Sequence, residues 1–509
     1  MSELNSRNQL KAGVILNYVV IILNTLVGLL YTPYMLRMMG QNEYGLYSLV
    51  ASIIAYLTVL DFGFGNAIIR YTAKFRAENK LQEQYEMFGM FLVLYSIIGI
   101  IAFVAGLALY FNVDSLFGDT MTFEELVKAR KMILLMIANL AITFPLSIYG
   151  SIINAYEHFV FPRVINVIRI ILNTAIMILL LNLGYKALAM VVLQTVFNVI
   201  SILLNYAYCK YKLYIKTVFK KFNWSFLKEV AMYSFWIFLF VIMDRIYWGT
   251  GQFVLGAVVG TAAVAVYAVA IQLQNMYMQF SNAIASLFLP KVTAMVTSNN
   301  NSKEISVLFI KTGRLQYVIL AYILTAFLCF GDQFIALWVG PEYHDSFIIA
   351  ALYFVPLTVP LIQNLGITIL QARNQMEFRS ILYICIAVIS LLLQIVFAKR
   401  WGGIGCAYAV SGALIVGQIL IMNIYYSKKQ QLDIRIFWKE ISKMSVIPMV
   451  VGSVFTLVLR FYYIDSWMKL FVWISIFSAL YIPLFFRFSL HKNERALFLS
   501  PFYRIINKI

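Results

Sequence analysis

Long apolar segments separated by short polar connections run through this sequence from Ala12 to Phe488. A helix that crosses a bilayer needs about 20 predominantly apolar residues, and many of these segments reach that length. Only helices and closed barrels satisfy their backbone hydrogen bonds in lipid, and these segments are too long and continuous for barrel strands. The chain is therefore predicted to be an all-α polytopic membrane protein.

Composition excludes the soluble alternatives. Of 509 residues, 62% are hydrophobic and 12% are charged, whereas an average soluble domain carries about 25% charged residues. This shortage of charge argues against a water-soluble enzyme, a disordered protein and an ordinary nucleic-acid binder. The net charge of +18 arises from Lys and Arg placed between the apolar segments, so we interpret it as a topology signal and expect no nucleic-acid partner.

The segments predict about fourteen transmembrane helices. We place them near residues 12–38, 44–75, 86–111, 130–155, 162–182, 186–208, 229–257, 262–295, 311–337, 345–371, 378–398, 404–426, 441–461 and 466–488. With the N-terminus inside, roughly three quarters of the Lys and Arg residues fall on the cytoplasmic side, as the positive-inside rule requires. Both termini are therefore predicted to be cytoplasmic.

A weak internal repeat organises these helices. Shifting the first two predicted helices by 220 residues places Gly40 on Gly260 and Tyr47 on Tyr267. The repeat predicts two pseudo-symmetric six-helix bundles, residues 1–218 and 219–427, followed by two additional helices and a basic tail in residues 428–509. An even number of helices per bundle predicts a two-fold axis along the membrane normal and a cavity where the bundles meet.

Ionisable residues inside the predicted helices are candidate functional groups, because burying them in lipid is costly. Asp61 precedes two glycines that would let its helix bend, and Asp244 and Arg245 are adjacent in the seventh helix. Arg169 shares a helix face with Asn166 and Asn173, at positions i−3 and i+4. Structural explanations stay open for each: hydrogen bonding to freed backbone for Asp61, mutual neutralisation for the adjacent pair, and snorkelling to the headgroups for Arg169.

Amide side chains recur at helical spacing along several of the same helices. Asn24 belongs to a stripe on the first helix, and Gln272, Gln279 and Asn282 form a line along the eighth. These stripes either face a hydrated cavity, where amides suit sugar hydroxyls, or hold the bundle together by hydrogen bonds between helices.

Two motifs resemble a known family. Met35–Tyr47 reads MLRMMGQNEYGLY, and Leu60–Tyr71 reads LDFGFGNAIIRY. Both resemble the bacterial polysaccharide-biosynthesis transporters, the O-antigen and capsule flippases of the multidrug/oligosaccharidyl-lipid/polysaccharide exporter superfamily. The resemblance implies a flippase that moves undecaprenyl-diphosphate-linked oligosaccharide across the inner membrane by alternating access. Arg37 and Arg70 fall within these motifs, at opposite interfaces, where they either guide the phosphates or anchor to lipid headgroups.

The residues themselves agree with that function. Guanidinium groups match phosphate oxygens bidentately, so Arg169 and Arg245 are predicted to bind the diphosphate. Asp61 and Asp244 are predicted to bind a proton or Na⁺ if transport is coupled to an ion gradient. No cofactor is expected, and the predicted partners are the lipid-linked oligosaccharide, the bilayer and other membrane proteins of polysaccharide assembly.

Three alternatives stay open at this point. A cation-coupled exporter of drugs or small metabolites would share the fold. A membrane polymerase or ligase is disfavoured, because the longest outer loop, residues 112–129, leaves no room for a catalytic domain and the sequence contains no nucleotide-hydrolysing or hydrolase motif. A membrane scaffold would not need the intramembrane charges.

Overall fold

The computed structural model describes residues 2–220, 223–297, 302–373, 375–462, 464–492 and 494–496. Every regular element in these ranges is helical, which confirms the predicted all-α class. The chain divides into two compact units, residues 1–268 and 269–509. The predicted three-part division at residues 218 and 427 stays a prediction.

The described residues of the first unit form nine α-helices and the beginning of a tenth. They are α1 (Ser2–Met39), α2 (Gln41–Leu57), α3 (Phe64–Ala77), α4 (Leu81–Phe111), α5 (Val113–Phe117), α6 (Phe123–Ala155), α7 (Val160–Asn182), α8 (Ala187–Tyr211), α9 (Trp224–Val258) and α10 (Thr261–Thr297). Helix α6 packs against α4 and α8, α1 packs against α7, and α2 packs against α6, α8 and α9. A core of buried aromatic and aliphatic side chains from α3, α4 and α6 joins these helices, with Phe88, Phe91, Ile148 and Ile152 fully buried.

The second unit continues from α10 to the end of the chain. Its further helices are α11 (Ser302–Trp338), α12 (His344–Ile362), α13 (Leu365–Ala372), α14 (Glu377–Ala413), α15 (Met422–Lys428), α16 (Ile434–Leu459) and α17 (Trp467–Phe488). A π-helical stretch, Leu414–Ile421, joins α14 to α15. Helix α11 packs against α12, α16 and α17.

The helices are long and apolar enough for a multi-pass membrane protein. Eleven stretches of the described residues qualify as membrane spans by length and composition. One of them, Glu377–Lys428, is interrupted at Gly402, whose backbone is not helical (φ 54°, ψ −134°). The exact number of fourteen stays a prediction.

Four glycines next to helix starts and breaks share an unusual backbone conformation. Gly40 precedes α2 and Gly260 precedes α10, with φ angles of 82° and 124°. Gly184 precedes α8, and Gly402 marks the break inside α14, with φ angles of 85° and 54°. Side-chain-bearing residues rarely adopt positive φ, so these glycines permit the sharp turns between consecutive helices. The internal repeat stays a prediction.

A second glycine of the first motif allows two helices to touch. A Cβ atom added to Gly45 on α2 would lie 1.8 Å from the carbonyl oxygen of Thr261, at the start of α10. Because both surfaces are backbone, no side chain can move aside to make room. The Glu-Tyr-Gly part of the motif therefore has a packing function in the first unit.

Candidate functional site

A polar cavity of about 530 Å³ lies within the first unit, among α1, α2, α6, α7 and α8. Its volume falls within the range of small-molecule sites. Its polar lining consists of Asn24, Thr58, Asn139, Thr143, Arg169, Asn173, Thr174, Gln194 and Asn198, and its apolar lining of Val27, Ile54, Met136, Leu140, Ile170 and Phe197. Arg169 is the one charged residue of this lining within the described part of the chain.

Helix α7 carries the cationic group of the cavity. Arg169 and Asn173 are one turn apart and both line it, whereas Asn166 on the preceding turn does not. Arg169 lies nine residues into the helix, about 14 Å from its first residue at 1.5 Å per residue. The structure thus brings together Arg169, Asn173 and Asn24, three of the residues that the sequence predicted as substrate ligands.

Two groups of this cavity lack a partner among the residues that the structure describes. Arg169 makes no hydrogen bond or ion pair there, and the buried amide oxygen of Asn173 accepts no hydrogen bond. A polar group removed from water without a partner costs free energy. The cavity therefore offers one cation to an anionic group.

A hydrogen-bonded cluster on α6 and α8 forms the facing wall. The amide nitrogen of Asn198 donates to the side-chain oxygen of Asn139 at 2.9 Å and to the hydroxyl of Thr143 at 2.8 Å. The hydroxyl of Thr143 in turn donates to the carbonyl of Asn139, and Gln194 donates to the hydroxyl of Tyr47 at 2.7 Å. These bonds hold the wall in one arrangement before any ligand arrives.

Sequence reasoning missed this wall. Asn139 and Thr143 are four residues apart on α6, and Gln194 and Asn198 are four residues apart on α8. Each pair therefore shares one helix face. A search for polar pairs at this spacing would have found both, but their meeting with Arg169 depends on how the three helices pack.

Asp61 lies at a break between α2 and α3. A short 3₁₀ turn, Thr58–Asp61, ends α2, and Phe62 and Gly63 both adopt left-handed conformations (φ 53° and 73°) before α3 begins. The Asp61 carboxylate accepts a hydrogen bond from the hydroxyl of Tyr95 at 2.7 Å and from the backbone N–H groups of Gly63 and Gly65. The bend predicted from the glycines is present, and the Asp61 carboxylate hydrogen-bonds the backbone at the start of α3.

Asp244 and Arg245 lie on α9 of the first unit, and both side chains are exposed. Arg245 is close enough to Tyr56 of α2 to interact with it electrostatically. Neither residue lines the cavity around Arg169. Their predicted functions in phosphate binding and ion coupling stay predictions.

The two arginines of the family motifs are both exposed. Arg37 is exposed in the last turn of α1. Arg70 is exposed on α3, with its guanidinium carbon 5.9 Å from the ring centre of Tyr71. Their function at the membrane interfaces stays a prediction.

The amide line of α10 lies apart from the cavity. Gln272 is partly exposed, whereas Gln279 and Asn282 are exposed. The amide oxygen of Asn282 accepts a hydrogen bond from Asn364 at 2.9 Å, a contact of the kind that holds helices together. Substrate binding by these three residues stays a prediction.

Comparison with known proteins gives a family match and one partial relative. The sequence pattern of the family described as "Polysaccharide biosynthesis protein" matches residues 10–296. A Salmonella typhimurium protein provisionally named an O-antigen transporter is 32% identical over 72 residues. That match spans only 14% of this chain and 16% of the relative's length.

Solved structures share the fold over nearly the whole chain. The lipid II flippase MurJ, in its inward closed conformation, superposes with a TM-score of 0.72 at 17% identity, covering 96% of this chain and 99% of that chain. An inward-facing multidrug resistance MATE transporter of the MOP superfamily gives a TM-score of 0.58 at 16% identity, covering 81% and 99%. At these identities the likeness establishes a transporter fold.

Proposed function

Because the chain belongs to the polysaccharide biosynthesis protein family, we propose that it is a flippase for undecaprenyl-diphosphate-linked oligosaccharides. The family and the fold are those of transporters and not of enzymes. The proposed cargo is a repeat unit of O-antigen, capsule or exopolysaccharide, carried from the inner to the outer leaflet of the bacterial inner membrane. The proposed partners are this lipid-linked substrate, the bilayer and other membrane proteins of polysaccharide assembly.

The cavity around Arg169 is the observation that carries this proposal. A lipid-linked oligosaccharide presents anionic groups and many hydroxyls. The cavity presents amide and hydroxyl side chains and one guanidinium, which has no partner among the described residues. Amides both donate and accept, as sugar hydroxyls do. The likeness to the lipid II flippase supports a substrate of this kind.

The proposed mechanism is alternating access, which is the general behaviour of transporters built from repeated bundles. The sequence contains no nucleotide-binding loop. The proposed driving force is therefore a proton or Na⁺ gradient, the membrane potential or removal of the product outside. Asp61 and Asp244 are the proposed ion-coupling residues, because each is a carboxylate within a helix of the first unit.

Reconstitution tests the function directly. Purified protein in liposomes that hold a lipid-linked oligosaccharide on one leaflet should expose the glycan on the other leaflet faster than protein-free liposomes do. An impermeant glycosidase or lectin added outside measures that exposure. Equal exposure in both preparations, with the protein shown to be folded by size-exclusion chromatography, would overturn the proposal.

A cation-coupled exporter of drugs or small metabolites is the second candidate, because the MATE transporters share the fold. The cavity argues against it, since no carboxylate is among its lining residues and a cationic drug would meet Arg169. Drug resistance conferred by the gene in a sensitive strain, without any effect on surface glycan, would favour this candidate over the flippase.

A further inference from the structure

The charge of the Arg169 cavity is small, and this limits what it binds. Arg169 supplies one positive charge, and no second Lys, Arg or His lines the cavity in the described part of the chain. A diphosphate carries at least two negative charges. One of them would face Val27, Ile54, Ile170 or Phe197 without a cation, and an unpaired charge in such surroundings is costly.

A single carboxylate matches the cavity better. A guanidinium binds a carboxylate through two parallel N–H···O hydrogen bonds, which neutralises both charges at once. Asn173, one turn away on the same face of α7, adds an amide side chain to the lining beside Arg169. The Asn139–Thr143–Asn198 cluster supplies further polar groups on the facing wall.

We infer that this cavity binds a carboxylate-bearing sugar of the glycan, such as a hexuronate, and not the diphosphate. The inference rests on the proposed flippase function and names the part of the substrate that the cavity binds. A neutral sugar would leave the Arg169 guanidinium unpaired, so transport should favour acidic repeat units.

Two substrates that differ only in this group test the inference. Both carry the same polyprenyl diphosphate and the same disaccharide, except that one has glucuronate where the other has glucose. In proteoliposomes the wild-type protein should translocate the acidic substrate at least tenfold faster. Arg169→Gln should slow the acidic substrate more than the neutral one and so abolish the preference, while Arg169→Lys should retain part of it.

Arg163→Gln is the matched control, because Arg163 is exposed on the same helix and lies outside the cavity lining. Asn173→Asp is a second variant that does not remove the arginine. Its new carboxylate would pair with Arg169 and repel the acidic sugar, so it too should abolish the preference. Thermal stabilisation by free glucuronate-containing disaccharide, seen for wild type and Arg163→Gln but not for Arg169→Gln or Asn173→Asp, gives a readout independent of transport.

The outcomes separate the two proposals. If Arg169→Gln slows both substrates equally, Arg169 binds the diphosphate that both substrates carry. The inference is then wrong, while the flippase function stands. If the wild-type protein moves both substrates at the same rate, the inference is again wrong. If wild-type protein moves neither substrate faster than protein-free liposomes do, the proposed function itself fails.

Discussion

At the level of single residues, the ionisable groups of this chain differ in whether other protein groups form hydrogen bonds or ion pairs with them. Asp61 accepts from one hydroxyl and two backbone N–H groups, whereas Arg169 has no partner among the described residues. Polar groups inside a protein are normally paired. We therefore infer that Asp61 stabilises the fold and that Arg169 binds a ligand.

The Asp61–Tyr95 contact yields a stability prediction. Asp61→Ala leaves the hydroxyl of Tyr95, a fully buried residue, without its acceptor and the first N–H groups of α3 without theirs. The expected cost is about 1–3 kcal/mol of unfolding free energy. Tyr95→Phe should cost less, and Asp61→Asn, which keeps an acceptor oxygen, should cost least. Thermal unfolding in detergent measures all three.

A double-mutant cycle makes that prediction specific. Because Asp61 and Tyr95 interact directly, the double variant should lose less stability than the sum of the single losses, with a coupling of about 0.5 kcal/mol or more. Strict additivity would mean that the hydrogen bond contributes nothing. The Asp61→Asn variant also tests ion coupling. If it transports at the wild-type rate but no longer depends on the ion gradient, Asp61 couples transport to that gradient as well.

At the level of helices, buried ionic contacts connect elements far apart in the sequence. Arg314 of α11 is only 3% exposed. Its guanidinium donates to both carboxylate oxygens of Glu494 at 2.7 Å and to Glu440 of α16 at 2.8 Å. Glu440 also accepts from His491 at 2.9 Å when that ring nitrogen carries the proton. The segment after α17 is thereby attached to α11 and α16.

Acid should weaken this attachment. Burial alone would raise the pKa of Glu494, but hydrogen bonds from Arg314 and from the backbone of His491 outweigh burial and hold that pKa below its usual value. A carboxyl with a lowered folded-state pKa stabilises the fold above its unfolded pKa of about 4.3, and that stability is lost as the pH falls through the folded pKa.

Glu494→Gln tests this pH dependence. The variant should melt at a lower temperature than the wild type at pH 7, and the difference should shrink below about pH 4 as Glu494 itself becomes protonated. Glu377→Gln, at an exposed position of α14, is the matched control and should show no such trend. A difference that stays constant from pH 7 to pH 3 would contradict the prediction. Arg314→Ala should cost more, about 3–5 kcal/mol, because it leaves the buried Glu494 carboxylate without its cation, whereas Glu440 keeps Lys443.

For the whole molecule, the distribution of basic residues predicts how the chain lies in the membrane. Most Lys and Arg residues fall on the side assigned to the cytoplasm, including the connection between α8 and α9. The connection between α4 and α6 carries acidic residues and is assigned to the outside. Positive charge resists translocation across the membrane, so the two connections should lie on opposite faces.

Cysteine labelling tests this topology. Asp119 and Lys216 are both exposed, one in each connection, and Cys385 is the exposed native cysteine of the described residues. In a Cys385→Ala background, Asp119→Cys should react with an impermeant maleimide in intact spheroplasts. Lys216→Cys should react only after the membrane is opened. The reverse pattern would invert the predicted orientation, and labelling of both in intact spheroplasts would refute the placement of one connection.

The sequence alone determined the features that depend on local patterns. Apolar length predicted membrane helices, the glycines predicted the bend after Asp61, and the two motifs predicted the family. Each follows from a few neighbouring residues, because helix formation, backbone conformation and lipid solvation are decided over one or a few turns. The sequence also showed that Asn166, Arg169 and Asn173 share one helix face, although only Arg169 and Asn173 line the cavity.

Only the tertiary structure decided which of these groups meet and which stay unpaired. Helices α1, α2, α6, α7 and α8 bring Asn24, Asn139, Arg169 and Asn198 to one cavity from positions up to 174 residues apart. The same packing gave Asp61 a partner in Tyr95 and gave Arg169 none among the described residues. Periodicity shows which face of a helix a residue occupies, but its neighbour across the interface depends on how the helices cross, and that is a property of the packed fold.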